Sequence, residues 1–241
     1  MSDFSLPVEN VPDIPFTRLI KFVRQVTHDV RNGLNAIDLQ AAYLGELAGE
    51  GELGEEAGKM RQMIAHVTAD MQELSARFAE LRPVIMECPV EDFLLGLKEA
   101  VDQEFGNQAK RVVWESKMGK EEVEMDYTML SNALMELVRN AIYFREGDQA
   151  VHFTASDEGG KATFEVRQKR SQPDTKTEKW GKAPLDSNRR GGYGLGLFYV
   201  RRIMDTLRGE LDIGYDAKAG ELRARVSLPL KKPGGSGGSH E

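Results

Sequence analysis

FTRLIKFVRQVTHDVRNGLNAIDLQAAYLGELA, residues 16–48, decides the first half of the fold. Leu19, Val23, Val26, Val30, Leu34, Ile37, Ala41 and Leu44 recur at steps of three and four, the period of an apolar stripe along one helix. GEGEL interrupts the pattern at residues 49–53. Met60, Ile64, Val67, Met71, Leu74, Phe78 and Leu81 then resume it, which predicts a second helix over residues 55–81. Two such helices joined by a short turn form an antiparallel hairpin. A lone hairpin buries little of either stripe. Two copies complete a four-helix bundle, so a homodimer is expected.

Outward from the hairpin, residues 1–15 carry three prolines and are read as a flexible N-terminus, with no basic start and apolar block to suggest a secretory signal. On the other side, Arg82-Pro83 ends the helical period and places a domain boundary there, so the hairpin domain is 16–82 and the second domain 83–230. In the second domain, a short apolar stretch (Val84–Met86) leads to helices expected over 90–105, 127–144 and 195–207. Strands are expected over 111–115, 122–125, 150–155, 162–168, 210–215 and 221–228. This order suggests an α/β sandwich with helices covering one face of a mixed sheet, and an α+β fold class for the chain. The end, KKPGGSGGSHE (231–241), has a linker's composition and is read as a flexible tail.

Composition narrows the function. The chain has 241 residues, with 32 Lys plus Arg against 39 Asp plus Glu, a net charge of −7 that argues against bulk nucleic-acid binding. Hydrophobic residues make up 40%, enough for a core, yet no apolar run reaches the ~18 residues of a membrane span. A cytoplasmic protein is expected. A single cysteine, Cys88, excludes an intrachain disulfide framework and a cysteine-built zinc site. Of the remaining histidines, His66 reads as a rim residue of the bundle, His152 lies in a strand and His240 in the tail, so no metal-ligand grouping emerges.

Three stretches could carry chemistry. In the first helix, His28 projects away from the stripe defined by Val26 and Val30, beside Asp29, which is placed to hold the ring or take a proton. Asn32, one turn on, shares its face and could position a water or a phosphoryl oxygen; the same pattern also fits a surface histidine in an ordinary charged helix. In NALMELVRNA (132–141), Glu136 and Asn140 share a helical face with Asn132. A carboxylate and an amide so spaced suit a nucleotide site, one acting on a nucleophile and the other ligating Mg²⁺, although a solvated polar stripe has the same spacing. In GGYGLGL (191–197), glycines let backbone N–H groups approach an anion, and the helix that follows adds a favourable dipole. A glycine hinge without a ligand is the alternative.

Together these stretches resemble the catalytic core of two-component sensor histidine kinases, with a dimerising phosphoacceptor hairpin followed by a gyrase-type (Bergerat) ATP-binding domain. His28 through Leu34 is similar to the H box, Glu136 through Ala141 to the N box, and Gly192-Tyr193-Gly194-Leu195-Gly196-Leu197 to the second glycine box. They occur in family order over residues 16–230. The resemblance implies that His28 is the phosphoacceptor, Asp29 its acid/base partner, and Asn32 a residue assisting dephosphorylation of a response regulator. It implies further that Asn140 binds Mg²⁺ with Glu136 beside it, that Asn132 belongs to the same nucleotide face, and that the backbone of Gly192, Gly194, Leu195 and Gly196 wraps the phosphates of ATP.

The chain departs from the family pattern in its first glycine box. Where an Asp is usual for the adenine amino group, strand alternation through Phe164 and Val166 puts Gln168, and Arg170 and Gln172 stand where glycines belong. A glutamine amide accepts a hydrogen bond without the charge, and side chains in place of two glycines are expected to obstruct the base pocket. Gly33 replaces a proline often found in the H box. The loop 169–190 has seven basic residues against three acidic ones, suited equally to a lid over a triphosphate and to a solvated loop.

The expected function is that of a protein-histidine kinase that autophosphorylates His28 from Mg·ATP and passes the phosphoryl group to the receiver domain of a response regulator. Input would come from a separate sensor or upstream protein. One alternative is a dimeric histidine phosphotransferase with a decayed nucleotide site, favoured by Gln168, Arg170 and Gln172. Another is a non-catalytic module that binds a regulator.

Overall fold

Helix α1 spans Phe16–Ala48, as its stripe requires, and α2 spans Glu52–Arg77. The computed structural model describes residues 16–49, 51–119, 121–173, 176–184 and 194–231, and the chain divides between Glu80 and Leu81 into two units. In the first unit the hairpin closes on small and apolar side chains: Thr27, Ala41, Ala57 and Ile64 are buried. Much of the α1 stripe stays in solvent, with Val26, Val30, Ile37 and Leu44 all exposed.

The second helix is shifted from its expected bounds. It starts three residues early because the Glu55 N–H reaches the Gly51 carbonyl, at 3.0 Å, and closes the first turn. It stops at Arg77, with Phe78 as its C-cap, and Leu81 instead packs against the core of the second unit. Periodicity alone could not separate the last apolar residue of one element from the first of the next.

The second unit runs β1 (Met86–Pro89), α3 (Val90–Phe105), β2 (Val112–Ser116), β3 (Glu122–Met125), α4 (Tyr127–Phe144), β4 (Val151–Asp157), β5 (Lys161–Lys169), α5 (Gly196–Thr206), β6 (Glu210–Asp216) and β7 (Glu221–Pro229). A five-stranded sheet has the order β2-β4-β5-β7-β6; β2 and β4 are parallel and the other neighbours antiparallel. Strand β1, which alternation did not reveal, pairs antiparallel with β3. Its four residues end at Pro89, and a proline donates no ladder hydrogen bond.

Helix α4 is central to this unit. Asp126 caps it by accepting from the Met129 N–H at 2.9 Å, and its other oxygen accepts from the Val84 N–H at 2.7 Å, tying the entry of the domain to the helix start. Leu130, Ala133, Leu134, Leu137 and Val138 lie along its buried face. They meet a core in which Phe93 of α3 packs edge-to-face on Phe164 of β5, with centroids 5.7 Å apart, and on Tyr127, at 5.3 Å. On the polar face of the sheet, Glu165 of β5 accepts from Arg225 of β7, its register partner, at 2.7 and 3.1 Å. The alternation seen in the sequence therefore separates a helix-covered apolar face from a charged one.

Because Phe93 bridges α3, α4 and β5 with no exposed surface, Phe93→Ala should lower unfolding free energy by about 3–5 kcal/mol. Urea melts followed by far-UV circular dichroism measure it. A loss below about 1 kcal/mol would show that the three elements do not depend on this ring.

Candidate functional site

On α1, buried Thr27 faces the hairpin interior and donates to the Val23 carbonyl at 2.7 Å, so the next residue turns outward. His28 is exposed, and its Nδ1 lies 3.2 Å from Asp29 Oδ1 and 3.3 Å from Asn32 Nδ2. Which of these contacts is a hydrogen bond depends on the tautomer, but both engage Nδ1 and neither engages Nε2. Gln25, one turn earlier, donates from Nε2 to both oxygens of Asp29 at 2.9 and 3.1 Å. The hydrogen bond with His28, and after it the one from Gln25, hold the Asp29 carboxyl below its ordinary range, so it stays ionised near neutral pH. The structure thus brings His28, Asp29 and Asn32 together and adds Gln25.

A second place for chemistry is a cavity of about 240 Å³ in the other unit. Leu137 and Ala141 of α4, Val166 of β5, Ile213 of β6, and Leu222 and Ala224 of β7 give it apolar walls. Asn140, Gln168, Gly194 and Gly196 all line it. Gln168 continues the inward row Phe164-Val166 at the end of β5, where the apolar core opens into the cavity. It is 3% exposed, and its Oε1 is buried without a hydrogen-bond partner. An orphaned acceptor of this kind costs roughly 1–3 kcal/mol, which a ligand donor could offset only if the amide turns its oxygen toward the cavity.

Arg170 and Gln172, expected to obstruct the base pocket, both line a cavity of this size. The Arg170 guanidinium lies over the Phe144 ring, 5.1 Å from its centroid, and 5.9 Å from that of Trp180. Arg170 is therefore held on the aromatic wall. Beside it, Glu146 accepts from the Ser171 N–H at 2.7 Å, and hydrogen bonding to the Ser171 side chain first and to this N–H second holds its carboxyl below the ordinary range.

Other expected site residues lie elsewhere. Asn132 is exposed and does not line the cavity. Glu136, at 4% exposure, is ion-paired with Arg139, which also binds Glu104 at 2.7 and 3.0 Å. A Cβ on Gly196 would collide with Glu136 Oε1, so the start of α5 lies directly against this carboxylate. Leu195 is buried, and Gly192 lies outside the described residues. Helix α5 has no side-chain cap, and Gly196, Leu197 and Phe198 of its first turn line the cavity, an arrangement compatible with an anion. Opposite them, Gly181 approaches closely: its Cβ would stand 2.7 Å from the Leu197 carbonyl oxygen.

Sequence reasoning missed Gln25, Glu146 and Trp180. The step of four from Gln25 to Asp29 was available as a signal. The convergence of Glu146 and Trp180 on one cavity depends on tertiary structure. Among the described residues no group of three or more His, Cys, Asp or Glu could hold a metal ion, and no helix is long and apolar enough to cross a membrane. The Cys88 thiol is pushed up by burial and donates to the Pro89 carbonyl.

Residues 125–232 match the family model described as histidine kinase-, DNA gyrase B- and HSP90-like ATPase. Among solved structures, full-length ShkA in complex with AMPPNP aligns with a TM-score of 0.69 at 17% identity, over 87% of this chain and 46% of that one. The present chain therefore spans less than half of full-length ShkA. Acinetobacter baumannii histidine kinase AdeS gives 0.53 at 15% identity over 85% and 98% of the two chains. The catalytic domain of histidine kinase ThkA gives 0.52 at 20% over 61% and 95%. At these identities the likeness is one of fold: a helical hairpin and a mixed sheet of the kind seen in histidine kinase catalytic cores.

The close approach at Gly196 yields a test. Gly196→Ala should destabilise the second unit by about 1–3 kcal/mol through overpacking against Glu136. In a Glu136→Ala background most of that penalty should vanish, giving a double-mutant coupling above about 1 kcal/mol in chemical melts. Equal penalties in both backgrounds would show that α5 does not rest on this carboxylate.

Proposed function

We propose that the protein is an ATP-dependent protein-histidine kinase of two-component signalling, with His28 as phosphoacceptor. One observation carries the reading: a single chain combines an exposed histidine whose Nδ1 is engaged by its neighbours with a cavity that holds an orphaned buried acceptor beside an uncapped helix start.

The residues suit the parts. His28 Nε2 is the nitrogen left open, and its lone pair attacks the γ-phosphorus of ATP; the N–P bond forms as the bond to the bridging oxygen breaks and ADP leaves. Ionised Asp29 stabilises the positive charge that develops on the ring as the N–P bond forms and then accepts the Nδ1 proton, and Gln25 keeps the carboxylate in place. In the cavity, Gln168 receives the base edge and Asn140 supplies an oxygen ligand for Mg²⁺. When bound, the Mg²⁺ ion neutralises phosphate charge as it develops. Gly194, Gly196 and the first turn of α5 present backbone to the phosphates. Gly192 and Asn132 belong to this reading only through the resemblance. Glu136, held by Arg139 against Gly196, is assigned a positioning role beneath the start of α5.

From phosphorylated His28 the phosphoryl group passes to an aspartate on a response-regulator receiver domain, and Asn32 orients water in the reverse, dephosphorylating direction. The exposed row Val26, Val30, Ile37 and Leu44 supports a homodimer, because a second hairpin would cover it. The phosphotransferase alternative, with a decayed nucleotide site, draws on Gln168, Arg170 and Gln172. That Arg170 and Gln172 line a cavity of about 240 Å³ rather than eliminate it supports the kinase.

Incubated with Mg²⁺ and γ-labelled ATP, the protein should acquire acid-labile, base-stable label that falls to background in His28→Gln while the circular dichroism spectrum is unchanged. Label that persists in His28→Gln places the acceptor elsewhere. Asn32→Ala should slow dephosphorylation of the cognate regulator on the order of tenfold while leaving His28 labelling within about twofold. Equal losses in both assays would mean that Asn32 serves docking rather than water positioning.

A further inference from the structure

We infer that the cavity takes guanine nucleotides about as well as adenine nucleotides, with Gln168 as the residue that admits both. The inference rests on the reading of the cavity as a purine nucleotide site and adds which base it accepts. Its starting point is that Gln168 is the one buried polar side chain among the described residues lining the cavity; Asn140 and Arg170 are half-buried, and Glu146, Ser171 and Gln172 exposed. A base that enters between the apolar walls therefore meets this amide as the most buried polar group of the lining. The Gln168 Oε1 has no hydrogen-bond partner among the described residues, so none of their contacts to that oxygen holds the amide in one orientation. The terminal torsion of glutamine is broad and roughly two-fold, which makes the two orientations close in energy.

Adenine presents an amino donor (N6–H) beside an acceptor (N1). Guanine presents an acceptor (O6) beside a donor (N1–H). The two edges are opposite in pattern, and an amide satisfies each by turning over: oxygen to N6–H and nitrogen to N1 in one case, nitrogen to O6 and oxygen to N1–H in the other. A carboxylate at the same place only accepts, so it favours the adenine amino group and repels guanine O6. Glu146 adds to the argument. Its carboxylate lines the same cavity, and the Ser171 N–H holds it there as an acceptor available to the exocyclic amine that guanine has and adenine lacks. The side chain at position 168 thereby sets the base preference.

The test is isothermal titration of the full chain with Mg·ATP and with Mg·GTP. The wild-type protein should bind both with dissociation constants within about threefold of each other. Gln168→Asp, which supplies an acceptor-only floor, should weaken GTP at least about tenfold relative to ATP. Wild type that prefers ATP by about tenfold or more overturns the inference and leaves the nucleotide site standing, as does a Gln168→Asp variant that melts cooperatively yet keeps the wild-type ratio. If neither nucleotide gives saturable heat with wild type, the nucleotide site itself is refuted and the inference falls with it. The wild-type ratio decides the matter without any variant.

Discussion

Helix α4 must bury an apolar face on the sheet and still leave space beside its C-terminal half, and the second unit is organised by that constraint. Leu130, Leu134 and Leu137 pack inward from α4, while Phe93, Phe153 and Phe164 fill the layer beneath. The inward row of β5 follows the same rule as far as Val166 and then changes character at Gln168. Apolar packing ends where a polar side chain takes over, and the cavity begins at that transition. A leucine at position 168 would extend the core and close off the polar floor.

The start of α5 bounds the cavity on another side. It comes close to α4 because Gly196 has no Cβ to strike Glu136, and close to Gly181 for the same steric reason. These glycines therefore have a packing explanation that does not depend on any ligand. The proposed phosphate role of the glycine-rich turn is added to a segment whose small residues the fold already requires.

Much of this was legible in the sequence. Steps of three and four gave α1 its full extent, and strand alternation located the five strands of the main sheet to within a residue or two. Other features depended on what the local pattern does not encode. Leu81 fits the stripe of α2 but packs in the second unit's core, and β1, ending in a proline, offers no alternation to detect. Site reading had the same limit. His28, Asp29 and Asn32 are linked by helical geometry and could be grouped from spacing alone. Asn132, Glu136 and Asn140 share that spacing, yet they range from exposed through buried to half-buried, and of the three Asn140 alone lines the cavity. Where the Arg170 side chain goes was a question of tertiary contact: it lies over Phe144 and near Trp180, on the wall of the cavity.

The account stands or falls on the cavity holding a nucleotide, and the side chains that line it can report binding directly. In ¹H–¹⁵N correlation spectra, titration with Mg·AMPPNP should move the side-chain amide resonances of Gln168 and Asn140, the Gly194 backbone amide and the Trp180 indole along one saturable curve. The indole of Trp114, which packs on Phe153, should stay in place. Spectra unchanged at millimolar nucleotide, or shifts confined to residues outside the cavity, would contradict the account.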